Sequence, residues 1–540
     1  MIGWDKDRRL SAILLSFLTA LIIIGCTELD VANPNDPDRD RALSSPEDVE
    51  SLVSGAYYLW FRSVYGVCPP GMFLSGQAFQ HLMWSNVCRH SHYSAIPRQP
   101  ISMDPLEYAY NHPTLVWTNG YRAISSLANG LRALEDPEVA QGIGAEGVHR
   151  LHAFGKFVQG LAHGTIALHY DRGFILDETT DQEERGVPVD YDTLLEAAFG
   201  YFDEAIELAN QEGFTIPFEW MRVEPTSSEL VRLIRSYRAR LRAQVARTPE
   251  ERAAVDWEAV IADVDQGLQS TLTLNMDWTA DWYHVLLDYA AYPRYSGMPY
   301  FVYGMADQSG AVAEWYEADL PEKHPILPDD RPVLIVTPDL RFPQGSTVEE
   351  QRTQGGEYFE LMAENDSKWI GASQGTWRWS WYKVGWGRGG GYFYGDFDQP
   401  EITREELRLL KAEGLYRKGD LAGAASIVNE TRVRHGLSPT DVSEVNVSCV
   451  PRLPSGECGG LWEMLKWEKR METVWTGIGG VNWFFDGRGW GDLWKDTPLQ
   501  LPVPCQELEV LQLGPCYTFG GSGGVLSAPV STYRFPGEEG

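Results

Sequence analysis

Trp84, Asn86, Tyr93 and Arg98 form one group of aromatic and polar side chains, and Trp282, Tyr283, Tyr289, Tyr292, Arg294 and Tyr295 form a second. Trp377, Trp379, Trp381 and Trp386 form a third. Rings set among amides and guanidinium groups suit a ligand whose flat C–H faces are edged by hydroxyls, which is the chemistry of a sugar. The chain holds 20 Trp and 25 Tyr, so any single ring is expected in the core more often than at a ligand. The weight therefore rests on the clustering. The alternation of 377, 379 and 381 is that of one face of a strand.

Reactive chemistry is poorly supplied. Gly385-Trp386-Gly387-Arg388-Gly389-Gly390-Gly391 is rich in glycine but lacks the Lys-Ser/Thr ending of a phosphate loop, and no capped helix follows it. Asp396 with Asp398, or Asp281 with Asp288, offer the two acids of glycoside hydrolysis, but a sequence this acidic produces such pairs by chance. Cys88-Arg89-His90-Ser91-His92 places three metal-ligating types together, without a second cluster at zinc-like spacing. No catalytic set, no metal and no cofactor are expected. A sugar-degrading enzyme and a peptide-binding helical-repeat protein are the alternatives to a glycan binder.

The elements that must position these residues are mostly helices. Ser45-Pro46-Glu47-Asp48 supplies a cap, a first-turn proline and early acids before the apolar face of Val49, Val53, Ala56 and Trp60. Helical periodicity starts again near Leu115, at Leu151 and at Leu194, and Thr226-Ser227-Ser228-Glu229 forms a capping box before Val231, Ile234 and Leu241. Thr403 and Asp420 cap two helices that Gly436 closes, giving a hairpin of 34 residues, the length of a tetratricopeptide repeat. Between 271 and 400, Trp, Tyr, Gly and Pro are dense and helical periodicity fades, so long structured loops with a few short strands are expected there.

The ends assign the compartment. Lys6, Arg8 and Arg9 precede an apolar run of 15 residues over 10–24, and Gly25-Cys26 follows. The run falls short of the roughly 20 residues that a membrane-spanning helix needs, and reads as a lipoprotein signal with Cys26 as the lipidated residue. A net charge of −31 opposes nucleic acid and anionic lipid surfaces. Of seven cysteines, six remain after Cys26. Local spacing favours Cys68 with Cys88, Cys449 with Cys458, and Cys505 with Cys516 among the fifteen ways of pairing six, as suits an oxidising compartment.

The order of several motifs resembles the SusD/RagB family of outer-membrane nutrient-binding lipoproteins. These are Cys26-Thr27-Glu28-Leu29-Asp30 through Asn33-Pro34-Asn35, then 402–413 through Gly419-Asp420 to 429–436, then Trp467-Glu468-Lys469-Arg470-Met471-Glu472, and finally Trp483-Phe484-Phe485-Asp486-Gly487-Arg488. Lys469 departs from the arginine common in the family. The resemblance implies a mainly α, SusD-like fold of tetratricopeptide-like hairpins. It implies a signal peptide over 1–25, a tether over 26–43 and one body over 44–540, with a helical scaffold at about 44–270 and 401–495 around a loop-rich ligand region at 271–400. It also implies a surface-exposed, lipid-anchored protein at the outer membrane that hands an oligosaccharide to a TonB-dependent SusC-like transporter, with the first two aromatic clusters as ligand contacts. The residues themselves give the late charged motifs a plainer role: Glu413, Arg432, Glu468, Arg470, Glu472 and Asp486 are expected to pair and lock helices.

Overall fold

The computed structural model describes residues 43–83, 90–105, 114–181, 186–284, 296–317, 332–362, 380–385 and 398–522. Helices dominate. α1 (Pro46–Ser54) starts at Ser45, whose side chain accepts from the Asp48 N–H, and Pro46 fills the first turn. The single helix expected through Trp60 is instead two segments meeting at Gly55, with α2 (Ala56–Tyr65) continuing beyond it. Ser54-Gly55 is the weakest helix-forming pair in the run, which accounts for the break.

α1 and α2 pack on α3 (Leu115–Ala133), and α3 on α4 (Ala145–His169). α4 lies along α5 (Tyr191–Gln211), α5 meets α6 (Ser227–Gln244), and α6 meets α7 (Trp257–Asp265). The α4–α5 crossing is close because Gly160 has no side chain: a Cβ there would stand 2.5 Å from the Phe202 ring. α8 (Arg404–Arg417) and α9 (Leu421–Arg434) form the 34-residue hairpin, capped by Thr403 and Asp420 as their side chains predict, with Gly436 in the left-handed region at φ 77°. α10 (Leu461–Glu472) packs on the α8–α9 hairpin, α11 (Asn482–Trp490) packs on α6, and α12 (Cys505–Val510) follows in the chain. None of the described helices is long and apolar enough to cross a membrane.

Buried ion pairs tie distant parts of this helical run together. Arg240 on α6 reaches Glu401 at 2.9 Å and Glu406 at 2.6 Å, and Arg252 reaches Glu413 at 2.7 Å and Asp486 at 3.0 Å. Arg341 meets Asp339, Glu468 and Glu472 at 2.8, 3.0 and 3.1 Å, while Arg432 faces Glu468 and Arg470 pairs with Asp492. All six late charged residues picked out in the sequence sit in these pairs. Burial opposes ionisation of Glu413, but Arg252 and its neighbours outweigh it and hold the carboxyl at about 2.

His435 closes the hairpin onto the rest. Its Nδ1 faces a Glu357 oxygen at 2.5 Å and its Nε2 a Glu472 oxygen at 3.0 Å. Burial and Arg341 pull its pKa down, but the bonds to Glu472 and Glu357 prevail and the net shift is upward. A raised folded pKa stabilises the fold fully below the ordinary histidine value of about 6.5, and that stability is lost as pH rises through the folded value. His435→Gln should therefore cost more stability at about pH 6 than at about pH 9, measured by chemical denaturation; an equal cost at both would show an uncharged ring.

Two disulfides lie where sequence spacing puts them, Cys449–Cys458 and Cys505–Cys516. Cys68 is disulfide-bonded, and Cys88, its expected partner, lies outside the described residues. So do the signal and tether, including Cys26.

Candidate functional site

Short strands from the early loop and from the loop-rich region border the candidate site. β1 (Leu82–Met83) pairs antiparallel with β2 (Ser296–Gly297), Leu82 opposite Gly297 and Met83 opposite Ser296. Trp84 is the residue after Met83, and Tyr295 the residue before Ser296. Met83 and Ser296, the described residues that border the early and the middle aromatic stretches, thus face each other at one end of the ladder. Ser380, the described residue that borders the third, bonds next to it. Ser380 donates its N–H to the Met298 carbonyl at 2.7 Å, and the Met298 N–H donates to the Tyr382 carbonyl at 3.1 Å. Trp379 precedes Ser380, and Trp386 follows Gly385, whose N–H is held by the Tyr358 carbonyl at 2.9 Å. β3 (Phe359–Leu361) and β4 (Tyr382–Val384) form the antiparallel pair behind this corner.

The corner is anchored from below. The Tyr303 hydroxyl donates to the Gln80 carbonyl at 2.9 Å, and Gln80 Nε2 donates to the Gly480 carbonyl at 3.0 Å. His81, just before β1, and His90 have ring centroids 4.4 Å apart. Burial lowers both pKa values, that of His90 to about 3 with Arg98 adding to the effect, so both rings are neutral. His90 faces the interior while His92 is exposed, so the two do not converge on one ion. Among the described residues, no three His, Cys, Asp or Glu side chains are grouped to hold a metal.

Of the ten candidate ligand residues, Trp84, Asn86, Tyr289, Tyr292, Arg294 and Tyr295 lie outside the described residues. The other four are interior. Tyr93 is 1% exposed and packs on Phe73 with ring centroids 4.8 Å apart. Arg98, 2% exposed, donates to Thr497 Oγ1 and to the carbonyls of Ser94 and Gln77. Trp282 is 6% exposed between Phe61 and Tyr58, and Tyr283 is buried beside Trp278. None of these four presents an open face for stacking. Trp381, from the third cluster, is buried too, while Trp377, Trp379 and Trp386 lie outside the described residues.

Sequence reasoning missed a half-exposed turn next to Tyr283. Asp277 accepts from the N–H groups of Thr279 and Ala280 and so raises a turn that carries Trp278. Arg62 Nη1 reaches Asp281 at 2.6 Å, and the Tyr58 hydroxyl donates to the same carboxylate at 2.8 Å. Burial and that bond push the Tyr58 pKa up to about 12. Asp281 is thus committed to two protein partners, while Asp288, its expected catalytic companion, lies outside the described residues, as does Asp396. Asp398 opens the strand that pairs with Leu272–Asn275. The available signal was the pair of aspartates flanking Trp278-Thr279-Ala280, a turn-forming pattern.

The chain is similar in structure to a SusD superfamily protein from Bacteroides vulgatus, with a TM-score of 0.50 and 12% identity over 84% of this chain and 89% of that one. Two further likenesses are a SusD-like carbohydrate binding protein from Bacteroides vulgatus, with TM-score 0.47, 13% identity and 91% of each chain covered, and a SusD superfamily protein from Bacteroides thetaiotaomicron, with TM-score 0.47, 13% identity and 83% and 90% covered. No family model and no curated protein matches the chain. Identities this low speak for the fold, and the fold is the mainly helical, SusD-like one.

Proposed function

We propose that this chain, folded as SusD superfamily proteins are, captures an oligosaccharide without altering it and passes it to a partner transporter. The reading rests on one observation above the others: Met83 pairs with Ser296 and Ser380 bonds to Met298, so the described residues that border the three aromatic stretches meet. Trp84, Asn86, Tyr289, Tyr292, Arg294 and Tyr295 are the proposed contacts, rings for the C–H faces and amide or guanidinium groups for the hydroxyls. The carboxylates of the late motifs support a non-catalytic role, since each is spent on a buried cation. The proposal includes a lipid on Cys26, residence at the outer membrane, and delivery to a TonB-dependent SusC-like barrel. The SusD-like carbohydrate binding neighbour is named for the same ligand class.

A glycan array with a peptide-library control tests the ligand class, and two variants test the site. Trp84→Ala and Tyr295→Ala should each weaken retention on the selected glycan by about 1–3 kcal/mol, roughly 5- to 150-fold, with unchanged melting. Retention of peptides but not glycans, or unchanged glycan affinity in both variants, would overturn the reading.

A further inference from the structure

On the face formed by α1, α2 and α3 lies a groove of about 890 Å³. Half-exposed Leu43, Leu52, Leu59, Leu176 and Leu511 form its apolar walls, and Ser125, Ser126 and Asn129 of α3 line its floor. Val187 and Val510, next in sequence to the lining residues Gly186 and Leu511, are exposed at 78% and 67%. An apolar groove of this size on a protein in water calls for a cover. An anionic membrane surface fits badly, because the chain carries a net charge of −31.

The chain itself ends up at this groove: Leu43, the first described residue, is part of the wall. We propose that residues 27–42 lie in the groove, with Leu29 and Val31 seated against the leucine walls. Leu29 and Val31 alternate, so an extended backbone turns both to one side. The twelve residues from Val31 to Leu43 reach up to about 40 Å, and with no linker between segment and groove the local concentration is high. The segment's charges also find partners, since Arg122 and Glu507 line the groove while Asp36, Asp38, Arg39, Asp40 and Arg41 precede Leu43. If Cys26 carries the lipid, the docked segment fixes this face toward the membrane. The docking itself does not rest on glycan binding.

Trypsin cleavage after Arg41 and a photo-crosslinker at Val31 test this in the detergent-extracted full-length protein. Cleavage should be at least about tenfold slower than in a Leu29→Asp/Val31→Asp variant, because protease acts on the undocked population. Crosslinks should map to 43–59, 115–129 and 505–513, and Leu511→Asp should release the segment in the same way. Equal cleavage rates in all forms would overturn the proposal. Crosslinks between chains that scale with protein concentration, or an apolar small molecule released from the groove on denaturation, would overturn it in favour of a second copy or a bound ligand. Glycan retention should not change in any of these variants.

Discussion

Arg341→Met should destabilise the fold by about 3–5 kcal/mol, the largest loss expected of any single charged residue here. The guanidinium is fully buried and serves Asp339, Glu468 and Glu472 at once, so its removal strands three carboxylates in the interior. Each keeps something: Asp339 the Trp467 indole N–H at 3.1 Å, Glu468 the more distant Arg432 at 3.5 Å, Glu472 His435 and the Tyr358 hydroxyl. None of these replaces a bidentate fork. Arg341→Lys should fall between the two, because an ammonium keeps the charge but not the planar geometry. The pH dependence gives a second check. Stranded carboxylates take a raised folded pKa, which favours the folded variant as pH falls, so the gap to the native protein should narrow from about pH 8 toward pH 5 in urea titrations. A loss below about 1 kcal/mol would mean that the three acids are solvated or paired elsewhere.

The sequence disclosed the parts of this fold that local signals write. Thr403, Asp420 and Gly436 fix the α8–α9 hairpin because a cap needs only its own next three residues and a left-handed stop needs only a glycine. The late charged residues could be read as ion-paired, yet the partners Arg252 and Arg341 come from mid-chain, and no local pattern names them. The same difficulty governs the site. β1 and β2 are two residues each, too short to show any alternation, so the pairing of Leu82 with Gly297 that brings the borders of two aromatic stretches together had no trace in periodicity. Within one short stretch, Tyr93 and Arg98 turned inward because long-range neighbours, Phe73 and Thr497, cover them. Ring density marks a region, but burial is decided by what the rest of the chain lays against it.

Trp282 shows what that difference means for experiment. Composition and clustering place it among ligand contacts, whereas the fold seats its ring 4.7 Å from that of Phe61 and 4.9 Å from that of Tyr58, with Tyr57 stacked at 6.2 Å. Deleting a ring so enclosed removes its transfer energy and leaves a cavity, so Trp282→Ala should cost about 3–5 kcal/mol. Trp282→Phe, which keeps an aromatic core at smaller volume, should cost less. The effect should also have a place. The residue lies directly after the Trp278–Asp281 turn and beside the Arg62–Asp281 pair, so hydrogen exchange should rise first over 277–284 and over α2. Glycan retention by the folded fraction should then fall far less than in Trp84→Ala or Tyr295→Ala. The opposite pattern, with unchanged melting and abolished retention, would put Trp282 on the ligand surface and move the site from the β1–β2 corner to the turn.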